Sequence, residues 1–390
     1  MDVAIIGTGI TRFGMFVDTR LRDLAAEAAD AALADAGVEP DAIGLVVFGN
    51  AAAGVLTGQE MIRAHTALGG SRVAGRPMVS VENACASSSS AFHLGAMAVS
   101  SGAYDHVLVV GAEKMTSTDR TRAARALATA VDVELAGEHD GSRPVFMEIY
   151  AAEARAYLDR TGASVRDLAL VAAKSLHNGS LNPIAQNRTA LTADEILAAR
   201  TIVDPLTRPM CSSIGDGAAA CVLTRTDLAR RRNLPSVRVL ASAVGAARAG
   251  DGGDVVGRTA RAAFEQAGVG PDGIDLFEVH DAASPAELVI AEQIGIAPAG
   301  EGAKLARDGA TGIGGSSPVN VSGGLLARGH PIGATGAAQL VELADQLRGR
   351  GGARQVQGAR IGLAENAGGS LGDGPAACVV TILAALGQAA

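Results

Sequence analysis

Two stretches of this chain are near copies of each other, and that limits the fold more than any other feature. Ala36–Leu45 reads AGVEPDAIGL and Ala267–Leu276 reads AGVGPDGIDL, with seven of ten positions identical. Each follows an Ala-rich helical pattern, over Leu21–Asp35 and over Val256–Gln266, and each runs into an apolar strand, at Leu45–Phe48 and at Leu276–Val279. Gly37 and Gly268 end those helices, because glycine takes the left-handed C-cap conformation without a Cβ penalty. The Pro-Asp pairs that follow turn the chain into the strand. The likeness continues further on. A strand meets a small-residue helix at Asn83–Ser100 and again at Asn320–Leu347, and each leads to another strand, Val107–Gly111 and Arg360–Ala364. The chain reads as a duplicated α/β unit, with mixed sheets between layers of helices.

Between the copies lies a segment of different texture, about 117–204, with arginines in quick succession, helical patterns over Met147–Asp159 and Val165–Ser175, and a loop holding Asn182-Pro183. It reads as an insertion capping the first half. The expected domains are an N-terminal half over 1–235, carrying this loop domain, and a C-terminal half over 236–390. A chain of 390 residues can bury a large core. Its apolar share is mostly small, with 50 glycines and no Trp, which favours tight helix-on-sheet packing. A net charge of −8 argues against general nucleic-acid binding. No apolar run approaches the roughly 20 residues of a membrane span. The opening MDVAIIGTGITRFG reads as strand and turn, not as a signal peptide, so a cytoplasmic protein is expected. Four cysteines without CxxC spacing indicate neither a zinc site nor a disulfide framework.

The chemistry gathers at matching points of the two copies. Asn320–Ala338, NVSGGLLARGHPIGATGAA, sets His330 among five glycines, where the backbone can approach another group closely. Histidine suits proton transfer near neutrality. Cys85, in NACASSSSAFHLGAMAV, sits where a strand-like run meets a helix start; helix N-terminal amides stabilise a thiolate, so a lowered pKa and a nucleophilic role are expected. His280, in VHDAASPAEL, falls at the C-terminal end of the second copy's strand, where active sites of open α/β sheets collect. Cys211, Cys221 and Cys378 read as small buried hydrophobes in strand contexts, and His65, His93, His106, His139 and His177 as surface or structural residues.

These segments, with GHPIGATG from Gly329 to Gly336 and LAENAGGSLGDGPAACVVTIL at the end, resemble the thiolase superfamily over nearly the whole chain. VHDA, where other members have an asparagine motif, resembles the sterol-carrier-type and archaeal branch. The resemblance implies an α/β fold in five layers, α-β-α-β-α, from two duplicated halves with a loop domain over the active site. It implies acyl transfer from coenzyme A thioesters, with no permanently bound cofactor, in a homodimer or homotetramer. Cys85 would accept the acyl group. His330 would take the thiol proton and, with His280, form one oxyanion hole; the N–H groups of Cys85 and Gly368 would form the other.

One departure stands out. Familiar thiolases carry a second cysteine in the C-terminal glycine-rich loop, and the matching position here is Asn366, whose amide cannot act as a base at neutral pH. His280 or His330 would then remove a substrate α-proton. Two alternatives keep the fold: a carbon–carbon lyase or CoA-independent acyltransferase working with a small OB-fold and zinc-ribbon partner, and a non-catalytic lipid-carrier or assembly subunit. The CoA-contacting residues stay open, with Lys114, Arg120, Arg122, Arg125 and Arg188 as cationic candidates.

Overall fold

The computed structural model describes every residue except 120, 138, 139, 233, 249, 251, 373 and 387–390, so Arg120 and His139 lie outside the described residues. The first half supplies β1 (Val3–Ile10), β2 (Leu45–Gly49), β3 (Met78–Val81), β4 (His106–Glu113) and β5 (Gly217–Arg225). The second supplies β6 (Val237–Ala246), β7 (Leu276–Glu278), β8 (Ile361–Gly368) and β9 (Ala377–Ala385). The strands run β3-β2-β4-β5-β1 and then β6-β9-β8-β7, joined where β1 pairs antiparallel with β6 at Val3, Ala4 and Ile5. A parallel bridge from Phe277 to Val319 extends the far edge. Each half therefore has the same order from its first strand at the joint outward, and the isolated bridge at Val319 stands in the second half where β3 stands in the first. The pairing senses also agree: β2 is parallel to β3 and β4, β7 is parallel to β8, and the remaining pairs are antiparallel.

The repeated decapeptides adopt the same local structure. Gly37 and Gly268 end their helices with φ of 60° and 70°, and Pro40–Ala42 and Pro271–Gly273 each form a single 3-10 turn. The helices they end are α1 (Leu21–Ala36) and, in the second half, the equivalent Val255–Ala267.

Side-chain alternation along the strands builds the layers. On β1, Val3 and Ile5 enter a central core with Phe92 and Ala96 of α2 (Ser87–Ser100). The same core holds Leu340 and Leu343 of the helix Thr335–Leu347. Ala4 and Ile6 face outward onto Ala28 and Ala32 of α1. In the second half, Val380 and Ile382 of β9 face outward onto Val256 and Ala260 of Val255–Ala267 and Ile290 of Ser284–Gln293. Two outer helix layers, the two halves of the nine-stranded sheet and a shared central pair of helices make the five-layered α-β-α-β-α fold. The inserted segment forms α3 (Val145–Thr161), α4 (Val165–Ser180) and a two-stranded ribbon of Thr201–Val203 with Leu206–Thr207. Its core leans on the second half, not the first: Ala283, Leu288, Leu326 and Ala327 complete it. Lys174 of α4 donates to Glu287 at 2.6 Å, and Arg307 donates to Asp167 at 2.6 Å. No described helix is long and apolar enough to cross a membrane. In chain order the second-half helices are α5 (Val255–Ala267), α6 (Ser284–Gln293) and α7 (Thr335–Leu347).

Candidate active site

Cys85 lies in the tight turn between β3 and α2. Ala84 before it has φ of +48°, a conformation that costs a residue with a Cβ, and its N–H donates to Glu82 Oε1 at 2.6 Å. One 3-10 turn, Ala84–Ala86, then feeds α2. The run of four serines that follows holds this turn. Ser87 Oγ donates to Ala84 O at 2.6 Å and accepts from Asn83 N, and Ser90 Oγ accepts from Asn83 Nδ2. Ser88 Oγ accepts the N–H of Ala337 at 2.9 Å, so the first half's helix caps the N-terminus of α7.

Cys85 is 8% exposed, and burial pushes its thiol up to about 12. Its own N–H and that of Gly369 hydrogen-bond toward the sulfur and pull the other way, while the charge of Glu113 adds to the rise. The lowered pKa expected from the helix N-terminus is thus reversed, because desolvation of a thiolate outweighs two amide dipoles. The resting group is a thiol.

His280 lies two residues past the end of β7. Its N–H donates to Glu365 Oε2 at 2.9 Å, while Val279 N–H donates to Asn320 Oδ1. Burial lowers the His280 ring to about 4, and its Nε2 has no hydrogen-bond partner among the described residues. His330 is carried by a loop that needs its glycine: Gly329 has φ of +109°, and a Cβ there would meet Gln186 Oε1 at 2.8 Å. His330 Nδ1 lies 2.7 Å from Thr335 Oγ1, and that hydroxyl reaches Pro331 O at 3.1 Å. With its one proton donated to Pro331 O, the Thr335 oxygen accepts from Nδ1–H, leaving Nε2 of a neutral ring free to take a proton. Burial first, then the charges of His280 and Arg328, hold the His330 pKa well below its usual value. Arg328 is itself buried and donates to Glu278 at 3.3 Å and Ser322 at 3.2 Å.

The three residues meet. The donor atoms of Cys85, His280 and His330 lie within 4.8 Å of one another, and the two rings are edge to face with centroids 5.1 Å apart. They line a cavity of about 70 Å³ together with Tyr150, Ser212 and Ala367. It adjoins a wider cavity of about 340 Å³ that shares Leu127, Phe146, Met147, Ser212 and His330 and carries Arg143 and Arg208. Gly368 lines the smaller cavity, where β8 closes on the Cys85 turn so tightly that a Cβ would sit 2.2 Å from Asn83 O. β8 ends at Gly368, and the chain turns at Gly369 with φ of +63°. Asn366 points the other way, with its carboxamide 2.8 Å from Ser89 Oγ and packed on Gly336; Ala367 occupies the cavity wall.

Several residues here escape sequence reasoning. Thr335 stands five residues after His330 at the first position of α7, and a hydroxyl at that helix start was the available signal. Gly369 hides within a glycine run, and Tyr150 and Ser212 arrive from the inserted segment and the loop after it. Cys211 is buried in extended backbone that bridges antiparallel to Ala283 and lines the wider cavity, and Cys221 and Cys378 are buried in β5 and β9. Among the cationic candidates, Lys114 is engaged by Asp216 at 2.8 Å, and Arg125 pairs with Asp119. Arg188 lines a third cavity beside Arg208.

Residues 3–227 match the family described as thiolase, N-terminal domain, and residues 252–383 match thiolase C-terminal domain-like. An acetyl-CoA acetyltransferase of Methanothermobacter thermautotrophicus is 40% identical over 382 residues, 95% of this chain and 97% of that protein. Sterol carrier protein 2 of Bos taurus is 32% identical over 94% of this chain and 70% of its own length. A solved Ltp2-ChsH2(DUF35) aldolase is similar with a TM-score of 0.79 at 25% identity, over 98% of each chain.

Proposed function

The chain belongs to the thiolase family, and from that premise we propose that it is an acyl-CoA acyltransferase working through an acyl-Cys85 intermediate. The observation that carries this reading is the convergence of the Cys85, His280 and His330 donor atoms within 4.8 Å at the wall of a buried cavity. Burial keeps Cys85 a thiol and both rings neutral, so proton removal by His330 Nε2 accompanies attack on the thioester carbonyl instead of preceding it. In this reading the N–H groups of Cys85 and Gly368 stabilise the developing oxyanion of the acyl-enzyme, and His280 and His330 stabilise that of the second half-reaction. His280, with an unpaired Nε2, or His330 removes the α-proton that Asn366 cannot.

The acyl-CoA enters through the wider cavity, where Arg208 offers charge to its phosphates while Arg143 is paired with Glu148. The second copy of a homodimer docks on β3, the outermost strand of the first half, beside exposed Val79, Leu94 and Met97. All four cysteines are free thiols, which suits the reducing cytoplasm where we place the protein. The likeness to an aldolase assembled with a DUF35 protein favours a second reading, carbon–carbon cleavage with a small partner.

Intact-protein mass after incubation with acetyl-CoA or acetoacetyl-CoA tests the first reading. An acyl adduct is expected, absent in Cys85→Ala. Absence of an adduct with every short and medium thioester overturns it, and activity that appears only with a co-purified small partner selects the second.

A further inference from the structure

We propose that Cys85, His280 and His330 also form a binding site for a thiophilic divalent cation of the Zn²⁺ class, and that metal bound there closes the enzyme to acyl-CoA. The binding stands on the donor geometry alone; the closure rests on the acyl-transfer role of Cys85.

The donor set is one thiol sulfur and two imidazole nitrogens, brought together from the turn before α2, the end of β7 and the glycine loop before α7. Thiolate with imidazole is the chemistry that selects Zn²⁺ over Mg²⁺ or Ca²⁺, and three protein donors leave one position for water. His280 is 4% exposed and its Nε2 has no hydrogen-bond partner among the described residues, so a buried ring nitrogen stands open to a ligand. His330 is oriented as metal-bound imidazoles are: its Nδ1 is held by Thr335 at 2.7 Å, which fixes the ring and leaves Nε2 to bind. Zn–S near 2.3 Å and Zn–N near 2.0 Å put tetrahedral donors about 3.4–3.6 Å apart, so the widest pair closes by roughly 1 Å, within reach of side-chain rotation. The cavity of about 70 Å³ has room for the ion and one water.

The step balances as Cys85–SH plus Zn²⁺ giving the zinc thiolate and one proton, which passes to the buffer. Because the sulfur binds as thiolate, binding releases a proton and tightens as pH rises. The bound ion occupies the sulfur that would attack the thioester and the nitrogen that would take its proton.

The test uses the full chain, stripped with chelator and titrated with Co²⁺ and with Zn²⁺. One ion per chain is expected, with a thiolate-to-Co²⁺ charge-transfer absorption that Cys85→Ser abolishes and Cys221→Ala leaves in place. Zn²⁺ should slow iodoacetamide alkylation of Cys85 at least tenfold, EDTA should restore it, and Mg²⁺ should do neither. His280→Asn should weaken binding tenfold or more, and Thr335→Val by about tenfold; circular dichroism establishes that each variant is folded. Unchanged Cys85 alkylation at saturating Zn²⁺, or a charge-transfer band that persists in Cys85→Ser, overturns the site. Acyl-adduct formation with metal bound overturns the closure alone. Metal binding by a chain that forms no adduct when metal-free overturns the acyl-transfer reading and leaves the site standing.

Discussion

At the scale of single residues, burial decides the protonation states that matter. Cys85 has two N–H groups aimed at its sulfur and still rests as a thiol, because removing a thiolate from water costs more than those dipoles return. His280 and His330 are neutral for the same reason. A preformed Cys–His ion pair would react with alkylating agents at a rate nearly flat around neutral pH. This site instead predicts that iodoacetamide labelling of Cys85 climbs about tenfold per pH unit between pH 7 and 9, as thiolate grows below a pKa near 12. A plateau in that interval would show the thiolate already formed at rest. Proximity of a cysteine to a helix start is readable from sequence; how much water remains around it is not.

The serine run makes the point at the scale of elements. As sequence, Ser87–Ser90 is a polar flank on a helix. In the fold all four side chains are buried and tie the Cys85 turn to Asn83, the N-terminus of α7 and β8. The two central helices touch through this seam, and Gly336 permits the contact: a Cβ there would stand 2.6 Å from Asn366 Oδ1 and 2.7 Å from Ser89 N. Gly336→Ala is expected to lower stability by about 1–3 kcal/mol, the range of overpacking, read from the urea midpoint at unchanged slope. A loss under a few tenths of a kcal/mol would mean that the seam yields easily. Asn366 takes its meaning from this contact as well, since it serves the helix seam and leaves the cavity wall to Ala367.

Across the whole molecule, one ion cluster pins the halves together. Asp35, at the end of α1, accepts from Thr8 N at 2.9 Å, Arg348 at 2.9 Å and Arg350 at 2.6 Å. Arg348 also donates to Ile5 O of β1 and to Pro235 O, just before β6. Burial raises the Asp35 pKa, but the Arg350 hydrogen bond, the Thr8 N–H and the two arginine charges outweigh it and bring the group down to about 2. A carboxyl depressed below its unfolded value of about 3.9 stabilises the fold above that pH and loses the contribution as pH falls toward 2. The parent should therefore exceed Asp35→Asn in urea midpoint at pH 6, with the gap closing between about pH 4 and pH 2. An equal gap at pH 6 and pH 2.5 would sever the link to this carboxyl. Solvent screening keeps the effect modest, since Arg350 is 41% exposed.

The sequence by itself determined the duplication, the layered α/β class and the segments that carry Cys85, His280 and His330. Those depend on local physics: glycine caps, Pro-Asp turns and apolar periodicity act over a few residues and leave a mark at fixed spacing. It also placed an inserted segment at about 117–204, but not the surface that segment covers. Its core is completed by Leu288 and Leu326 of the second half, contacts between residues more than a hundred positions apart. Tertiary structure alone decided which N–H meets the thiol, which way Asn366 turns and how far burial shifts each ionisable group. It alone brought together a sulfur and two imidazoles separated by 195 and 50 positions. No spacing rule encodes that triad, because the two halves of the sheet must first close on their shared helices before its members become neighbours.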